Sequence, residues 1–296
     1  MLGASGFVGS RALARTAGRE VRALAHRRPI PGAAIVEGDG TDAATLDRLL
    51  EPDAVVLNFA YGDEASAVRL AEALGAACAR RRVRRLVHVS TCSVYGTAPG
   101  MLIDEDTPCM PAAPYERAKH AAEMTLERGA GSYELAILRP TAVFGPGGKN
   151  LETLALRVLR QAWPRRYVRA CAMGRRRMHV VDVECVAAAA LFLTTAQLES
   201  KVERFVVSQD DESANNYADI EAFLTERFGA RHFPVPPLAW QAGALGLALR
   251  LAGRSNVEPR RRYSAARLAQ RGFAAPRPFA AALEEYAGWI ESHARP

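Results

Sequence analysis

The sequence predicts an α/β protein built on a doubly wound parallel sheet, with a smaller C-terminal region. Short apolar runs alternate with helical patterns through the first half of the 296-residue chain, as they do when helices cover both faces of a parallel sheet. A glycine-rich turn (Gly3, Gly6 and Gly9) stands directly before the first helical pattern. From about Gly147 onward the pattern becomes irregular, which indicates a second, smaller unit.

The elements follow one another in the order that such a sheet requires. Apolar runs predict strands at Glu20–Ala25, Ala33–Val36, Ala54–Phe59, Leu86–Ser90 and Leu135–Leu138. Helical patterns lie between them at Arg11–Ala17, Ala43–Leu50, Ala65–Arg80 and Tyr115–Arg128. Later we expect helices near Leu151–Gln161 and Tyr217–Phe228, and one strand around Met178–Val183 that returns to the sheet. The sheet domain therefore spans residues 1–146, with 177–208 returning to it, and the smaller region comprises 147–176 and 209–296.

The glycine turn has a specific physical use and an unusual position. Glycine is needed where a turn is tight and where the backbone must approach a pyrophosphate bound at a helix N-terminus. Only Met1 and Leu2 precede this turn, whereas the first strand of a doubly wound sheet lies in its middle and hydrogen-bonds to neighbours on both sides. We therefore expect the first strand to be largely missing from this sequence, with roughly five further strand residues upstream.

Composition excludes several classes of function. Hydrophobic residues make up 49% of the chain and charged residues 24%, which is ordinary for a soluble globular protein. The net charge is +7, but the arginines are scattered and form no basic stripe with interleaved aromatic residues, so we expect no nucleic-acid partner. Acidic, phosphate-bearing small molecules suit this charge better.

Cysteine usage and hydropathy predict a cytoplasmic protein without a stable membrane span. The five cysteines are odd in number and none is spaced as CxxC, so neither a disulfide framework nor a metal site is expected, and a reducing compartment is favoured. The longest apolar stretch, Leu238–Leu251, is interrupted by Gln241 and Arg250 and is too short to cross a bilayer. We interpret it as a buried helix, although such a helix could also lie against a membrane surface or a partner.

The end of the second predicted strand indicates which dinucleotide would bind. An acidic residue there favours the free 2′-hydroxyl of NAD, whereas basic residues accommodate the 2′-phosphate of NADP. This chain has His26, Arg27 and Arg28 at that place and no acid. NADP is therefore favoured over NAD, with the alternative that these residues are one more arginine cluster in an arginine-rich chain.

Tyr115 and Lys119 form the most informative pair, because this chain hardly uses lysine. Only Lys119, Lys149 and Lys201 are lysine among 39 basic residues, which indicates a site that needs a compact ammonium instead of a planar guanidinium. Four-residue spacing places Tyr115 and Lys119 on one face of a helix. There an ammonium can lower the pKa of a phenol, and such a tyrosine can serve as a general acid or base on a hydroxyl or ketone.

Several further segments each give a weak signal alone but give a strong signal when taken together. In chain order they are Gly3-Ala4-Ser5-Gly6-Phe7-Val8-Gly9, Gly38-Asp39-Gly40-Thr41-Asp42, His88-Val89-Ser90-Thr91-Cys92-Ser93-Val94-Tyr95-Gly96, Asp104-Glu105-Asp106-Thr107-Pro108, Pro114-Tyr115-x3-Lys119, Leu138-Arg139-Pro140-Thr141-Ala142-Val143-Phe144-Gly145-Pro146 and His179-Val180-Val181-Asp182-Val183. Over nearly the whole chain they resemble the extended short-chain dehydrogenase/reductase family, also called the NAD-dependent epimerase/dehydratase family. The resemblance implies a Rossmann-like fold, an N-terminal dinucleotide-binding domain and a C-terminal substrate-binding region.

The resemblance also implies a role for each motif. Thr91 would hydrogen-bond the reacting substrate oxygen, Tyr115 would shuttle the proton, and Lys119 would hold the nicotinamide ribose while lowering the pKa of the tyrosine. The implied cofactor contacts are Gly3, Ser5, Gly6, Phe7, Val8, Gly9, His26, Arg27, Asp39, Gly40, Ala60, Tyr115, Lys119 and Pro140.

On the substrate side the resemblance implies Thr91, Ser93 and Arg175. Related sugar-nucleotide epimerases place an arginine at the position of Arg175, against the substrate diphosphate, but two arginines follow it directly, which leaves the register open by one residue. His179 would be structural, at the entry to the returning strand.

Two departures from the family pattern narrow the chemistry. Sugar 4,6-dehydratases of the family carry an Asp-Glu pair directly after the catalytic threonine, where this chain has Cys92 and Ser93, so we do not expect a dehydratase. Many epimerases place an asparagine against the substrate phosphates, where this chain has Ala142.

The leading hypothesis is therefore an NAD(P)-dependent enzyme that transfers a hydride at a ring carbon of a nucleotide-activated sugar. It would act by 4-epimerisation, which retains the cofactor, or by 4-ketoreduction, which consumes NADPH. One alternative is an NADPH-dependent reductase of a steroid-like or flavonoid-like substrate, and another is a non-catalytic dinucleotide-binding sensor or assembly protein, which would usually lack Tyr115 or Lys119. Family members often dimerise through helices, and Ala65–Arg80 and Tyr115–Arg128 are suitably placed for a homodimer.

Overall fold

The computed structural model describes residues 1–25, 30, 33–61, 64–238 and 260–293. In this part the strands are β1 (Arg22–Ala25), β2 (Ala34–Glu37), β3 (Val55–Asn58), β4 (Arg85–Val89), β5 (Leu102–Ile103), β6 (Glu134–Pro140), β7 (Ala142–Phe144), β8 (Val180–Asp182), β9 (Val202–Val207) and β10 (Arg262–Tyr263). The helices are α1 (Phe7–Ala14), α2 (Ala43–Leu49), α3 (Glu64–Arg80), α4 (Pro114–Gly129), α5 (Glu152–Arg160), α6 (Trp163–Met173), α7 (Val183–Phe192), α8 (Tyr217–Arg227), α9 (Ala266–Gln270) and α10 (Phe279–His293). The predicted α/β class is confirmed.

The main sheet is parallel and has the order β3-β4-β6-β9. Met1 and Leu2 connect it to the parallel pair β1-β2, because Leu2 N–H donates to Leu57 O (2.9 Å) and Leu24 N–H donates to Met1 O (3.0 Å). These two residues therefore occupy the central strand position, between β1 and β3. A cavity of about 380 Å³, lined by residues such as Met1, Arg22 and Val55, lies beside them. The prediction of further strand residues upstream stays a prediction.

Strand alternation separates the two faces of the sheet. Leu86 on β4 and Leu135 on β6 belong to one apolar cluster, which α3 and α4 cover. The neighbouring Val87 and Ala136 belong to a second cluster, together with residues of α1 and α7 on the opposite face. Side chains of successive strand residues point to opposite faces, so each strand contributes to both layers. This arrangement is the predicted doubly wound, Rossmann-like architecture.

The returning strand differs from the prediction. The segment expected around Met178–Val183 forms β8, but β8 pairs with β7 and not with the main sheet. The chain leaves β8 after three residues because Asp182 is the N-cap of α7, and its carboxylate accepts the Glu184 N–H. The strand that extends the main sheet is β9, which pairs with β6. Its run of valine and phenylalanine is a strand signal that the sequence prediction missed.

The C-terminal region has an apolar core of its own. Phe144, Leu154 of α5, Ile220 of α8 and Tyr286 of α10 are buried together. Among the helices that the structure describes, none is both long enough and apolar enough to cross a membrane. Most of the apolar stretch Leu238–Leu251 lies outside the described residues, so its predicted helix stays a prediction.

Candidate active site

The glycine turn brings three chain segments into close contact. Gly3 has φ +72°, and a Cβ atom there would lie 2.6 Å from Ala60 N; a Cβ atom on Gly9 would lie 2.1 Å from Gly3 O. Helix α1 begins at Phe7 with Gly6 as its N-cap, and no side chain caps its first amides. Such a bare helix N-terminus beside a tight glycine turn fits a dinucleotide pyrophosphate. The predicted contacts Ser5, Phe7 and Val8 lie on this same turn.

The remaining predicted adenosine contacts lie near the end of β2. Asp39 is exposed, and one of its carboxylate oxygens accepts the backbone N–H (2.8 Å) and the hydroxyl (2.9 Å) of Thr41. Gly40 lies close to Leu70: a Cβ atom on Gly40 would lie 2.9 Å from Leu70 Cδ1. The predicted contacts His26 and Arg27 lie outside the described residues, so the preference for NADP over NAD stays a prediction.

Three predicted hydroxyl groups come together after β4. Thr91 Oγ1 accepts the Ser93 backbone N–H (3.1 Å) and donates to Ser93 Oγ (3.2 Å). Tyr115 lines the same cavity as Thr91 and Ser93. The start of α4 positions Tyr115, because Pro114 opens the helix and the Glu116 carboxylate accepts the N–H groups of the two residues before the helix, Ala112 and Ala113.

Tyr115 and Lys119 both lie against the ring of Tyr61. Tyr115 is 39% exposed and packs edge-on against Tyr61, with 5.3 Å between ring centroids. The Lys119 ammonium lies over the same ring, 4.4 Å from its centroid. Burial raises the pKa of Tyr115 and the Thr91 hydroxyl group opposes that shift, so the pKa is raised in the protein alone and not lowered as predicted.

Lys119 is a buried ammonium with few partners. It is 5% exposed, and its Nζ donates to Val89 O (3.3 Å). Burial lowers the pKa of Lys119 from 10.5 to about 8, and the charge of Glu123 opposes that shift. Lys119 and Ala60 line a small cavity together with His88, whose pKa burial lowers to about 3, so His88 adds no charge there near neutral pH.

We expect dinucleotide affinity to fall as the pH rises above about 8. Free Lys119 loses its proton there, and only the ammonium form can donate all its hydrogens to ribose hydroxyl groups. The dissociation constant should rise by up to about tenfold per pH unit, measured by nicotinamide fluorescence. The Lys119→Met variant should bind weakly with no such dependence; the same alkaline loss in that variant would contradict this assignment.

The depressed pKa also means that burial of the Lys119 ammonium destabilises the fold in full below pH 8. This cost falls as the pH rises from 8 to 10.5, so stability increases across that range.

The cavity beside the hydroxyl cluster has a volume of about 880 Å³. The predicted site residues that line it are Phe7, Val8, Thr91, Ser93, Tyr115 and Pro140. Arg175 does not line it: its side chain is 69% exposed and pairs with Asp219 at 2.8 Å. Arg176 lines the cavity instead, because Gly174 turns the chain at φ +51° and the Tyr217 N–H binds Arg176 O. Of the two registers that the sequence left open, the structure thus places Arg176 at the cavity and Arg175 outside it.

Sequence reasoning also missed Lys149, His179 and Tyr263, which line the same cavity. A signal for Lys149 was present, because it is one of only three lysines in the chain, and two of these three line the cavities of this site. The positions of His179 and Tyr263 depend on long-range packing, and no local pattern indicates them.

Comparison with known proteins agrees with this geometry. The sequence profile of the NAD dependent epimerase/dehydratase family matches residues 1–208. The UDP-glucose 4-epimerase of Azospirillum brasilense is 30% identical over 178 residues, which are 50% of this chain and 50% of that enzyme. The dTDP-glucose 4,6-dehydratase of Streptomyces niveus is 35% identical over 101 residues, 30% of each chain. The solved structure of the Bordetella bronchiseptica enzyme WbmG in complex with NAD and UDP has a TM-score of 0.69 at 21% identity, covering 99% of this chain and 94% of that one.

These matches differ in what they show about the chain. The structural likeness shows the fold alone, and the chain spans about half or less of the length of the curated relatives it matches. The family profile covers more than half of the chain and includes the glycine turn, Thr91, Tyr115 and Lys119. This chain belongs to the NAD dependent epimerase/dehydratase family.

Proposed function

We propose that this chain is an NAD(P)-dependent enzyme that transfers a hydride at a ring carbon of a nucleotide-activated sugar. The observation that carries the proposal is that Thr91, Ser93 and Tyr115 line one cavity of about 880 Å³, where Thr91 and Ser93 are hydrogen-bonded to each other. Lys149 and Arg176 line that cavity, and their positive charge suits a diphosphate. A steroid-like or flavonoid-like substrate makes no use of these two cations. The proposed substrate region, residues 147–176 and 209–296, supplies both of them.

Each residue of the cluster has one task in this reaction. A bound nicotinamide accepts the hydride or returns it. Tyr115 takes the hydroxyl proton as the carbon loses its hydride and gives it back on reduction, which requires its partly exposed phenol to reach the substrate oxygen. Thr91 donates a hydrogen bond to the same oxygen and stabilises its negative charge. Lys119 would donate to the nicotinamide ribose.

Dehydration is not part of the proposal. Cys92 stands where a sugar dehydratase needs a carboxylic acid, and its thiol is buried and donates to Arg139 O (3.0 Å). Burial raises the pKa of Cys92 well above its ordinary value. It therefore cannot deliver a proton to a leaving hydroxyl group near neutral pH.

A direct assay separates epimerisation from ketoreduction. Purified protein would be given UDP-hexoses with catalytic NAD, or a UDP-4-ketohexose with NADPH or NADH. Interconversion of 4-epimers without net use of the dinucleotide supports the epimerase, and stoichiometric NADPH oxidation supports the reductase with NADP as cofactor. Arg27→Ser tests the basic cluster, because only NADPH binding should weaken. If no nucleotide sugar is converted and an apolar ketone is, the proposal is overturned.

We also propose that the chain forms a homodimer through α3 and α4 and that the protein is cytoplasmic.

The two neighbouring arginines offer a matched test of substrate binding. Arg176→Ser is expected to weaken UDP and UDP-sugar binding by about tenfold or more, since a charge-assisted hydrogen bond contributes about 1.5–3 kcal/mol. Arg175→Ser removes the same charge from an exposed side chain paired with Asp219 and should leave binding nearly unchanged. Isothermal titration with UDP measures both. Equal losses of UDP affinity in the two variants would show a general effect of charge and would argue against a direct contact between Arg176 and UDP.

A further inference from the structure

His179 and Asp210 form a buried pair at the wall of the substrate cavity. His179 Nδ1 lies 2.6 Å from Asp210 Oδ2, and Asp210 is 1% exposed. The other contacts of this carboxylate are also donors: Tyr263 N–H at 2.9 Å on Oδ2 and Asn215 Nδ2 at 3.4 Å on Oδ1. Because all its neighbours donate, Asp210 accepts the Nδ1 hydrogen of His179. That contact fixes the tautomer and leaves Nε2 as the second polar atom of the ring.

The backbone of His179 is held in an unusual conformation. Its φ is +51°, in the left-handed region that non-glycine residues rarely adopt and that is enriched at functional sites. Its carbonyl oxygen accepts the Ala142 N–H (2.9 Å), and its ring packs edge-on against Tyr263 with 5.2 Å between centroids. Asp210, Tyr263 and Ala142 thus hold the ring and backbone of His179 in place. Within the described residues Asp210 is the hydrogen-bond partner of the ring, and His179 lines the cavity.

The hydrogen-bond pattern of the pair indicates what Nε2 can bind. Because Nδ1 donates its hydrogen to the Asp210 carboxylate, Nε2 of that tautomer is a hydrogen-bond acceptor. Such a pair is a poor partner for a diphosphate, whose charge is better matched by Lys149 and Arg176 on the same cavity. A sugar hydroxyl group, which can donate to Nε2, suits it well.

We propose that His179, oriented by Asp210, is a specificity-determining residue that accepts a hydrogen bond from a hydroxyl group of the substrate sugar. This inference rests on the proposed nucleotide-sugar chemistry and goes beyond it, because the family resemblance assigns His179 only a structural role. It predicts that the pair contributes to recognition of the sugar and contributes nothing to recognition of the nucleotide diphosphate.

Two substitutions separate this role from a structural one. His179→Asn keeps a donor close to the position of Nδ1 for Asp210, tolerates the left-handed backbone, and removes Nε2. His179→Gln can place an amide near the position of Nε2 but gives up the contact with Asp210. We would measure the affinity of the dinucleotide-loaded protein for a UDP-hexose and for UDP, the kinetic constants, and the melting temperature.

His179→Asn is expected to raise KM and the dissociation constant of the UDP-hexose by about tenfold, with unchanged affinity for UDP and an unchanged melting temperature. His179→Gln should recover part of the affinity and melt at a lower temperature. Unchanged UDP-hexose affinity in His179→Asn, or equal losses for UDP and UDP-hexose, would overturn the inference. If the wild-type protein binds UDP-hexoses but turns none over, the proposed reaction fails while the binding comparison still decides the role of His179.

Discussion

Replacing Tyr115 with phenylalanine is expected to lower the turnover number by a factor of about 10² to 10⁴, the usual contribution of a positioned general acid or base. The phenylalanine ring keeps the edge-on contact with Tyr61, so α4 and Lys119 should stay in place. What is lost is the hydroxyl group that moves the substrate proton in the proposed reaction. Dinucleotide affinity should therefore remain close to that of the unchanged protein.

Single-turnover kinetics with a UDP-hexose, followed beside nicotinamide fluorescence titrations, measure the two quantities separately. Tyr167→Phe is a matched control, because its hydroxyl group is exposed, donates to Pro236 O (3.3 Å) and lies outside the cavity of about 880 Å³. A Tyr115→Phe variant that keeps its activity would remove the basis of the catalytic proposal. It would favour the non-catalytic dinucleotide-binding alternative, provided that cofactor affinity also persists.

The sheet domain could be predicted well because its signals are local. The expected helix Ala65–Arg80 is observed as α3 (Glu64–Arg80), and the expected strand Leu86–Ser90 is observed as β4 (Arg85–Val89). Apolar periodicity encodes these elements directly. The error on β8 has a different origin. A short apolar run predicts that a strand forms, but it does not predict which neighbouring strand it pairs with. In addition, Asp182 ends this strand because it caps α7.

The site could be predicted where local hydrogen bonds position it. The turn after β4 places Thr91 and Ser93, the first turn of α4 places Tyr115, and all three line one cavity. Arg176, and not the predicted Arg175, lines that cavity, because the positive-φ turn at Gly174 sets which arginine faces it. The position of Lys119 over the Tyr61 ring could not be read from spacing, since that ring comes from a distant segment.

The Arg139–Glu123 ion pair is buried between β6 and α4. Arg139 is 2% exposed and Glu123 fully buried, with Nε donating to Oε1 (3.2 Å) and Nη2 donating to Oε2 (2.5 Å). Nη1 donates to the Tyr95 hydroxyl group (3.0 Å). Hydrogen bonds and charge from Glu123 raise the pKa of Arg139 despite its burial.

Glu123→Gln is expected to destabilise the protein by about 3–5 kcal/mol, because it leaves a buried guanidinium without its counter-charge. Arg139→Met should cost a similar amount, since it leaves the carboxylate unpaired. Urea unfolding midpoints measure both losses. The exposed pair of Arg80 and Asp47 is the matched control, and Asp47→Asn should change stability by less than about 1 kcal/mol. Equal small losses at both pairs would contradict the prediction.

The double variant Arg139→Met with Glu123→Leu connects this pair to the active site. Replacing both charges with apolar side chains should recover most of the lost stability, since buried ion pairs are often no more stabilising than apolar packing. Glu123 also lies one turn from Lys119, and its charge raises the pKa of Lys119 against burial. Without it the pKa of Lys119 should fall below about 8, and the alkaline loss of dinucleotide affinity should move to lower pH. If the double variant is stable and its pH profile does not move, Glu123 contributes to folding and has no effect on Lys119. If the profile moves to lower pH, the Glu123 carboxylate both pairs with Arg139 and keeps Lys119 charged.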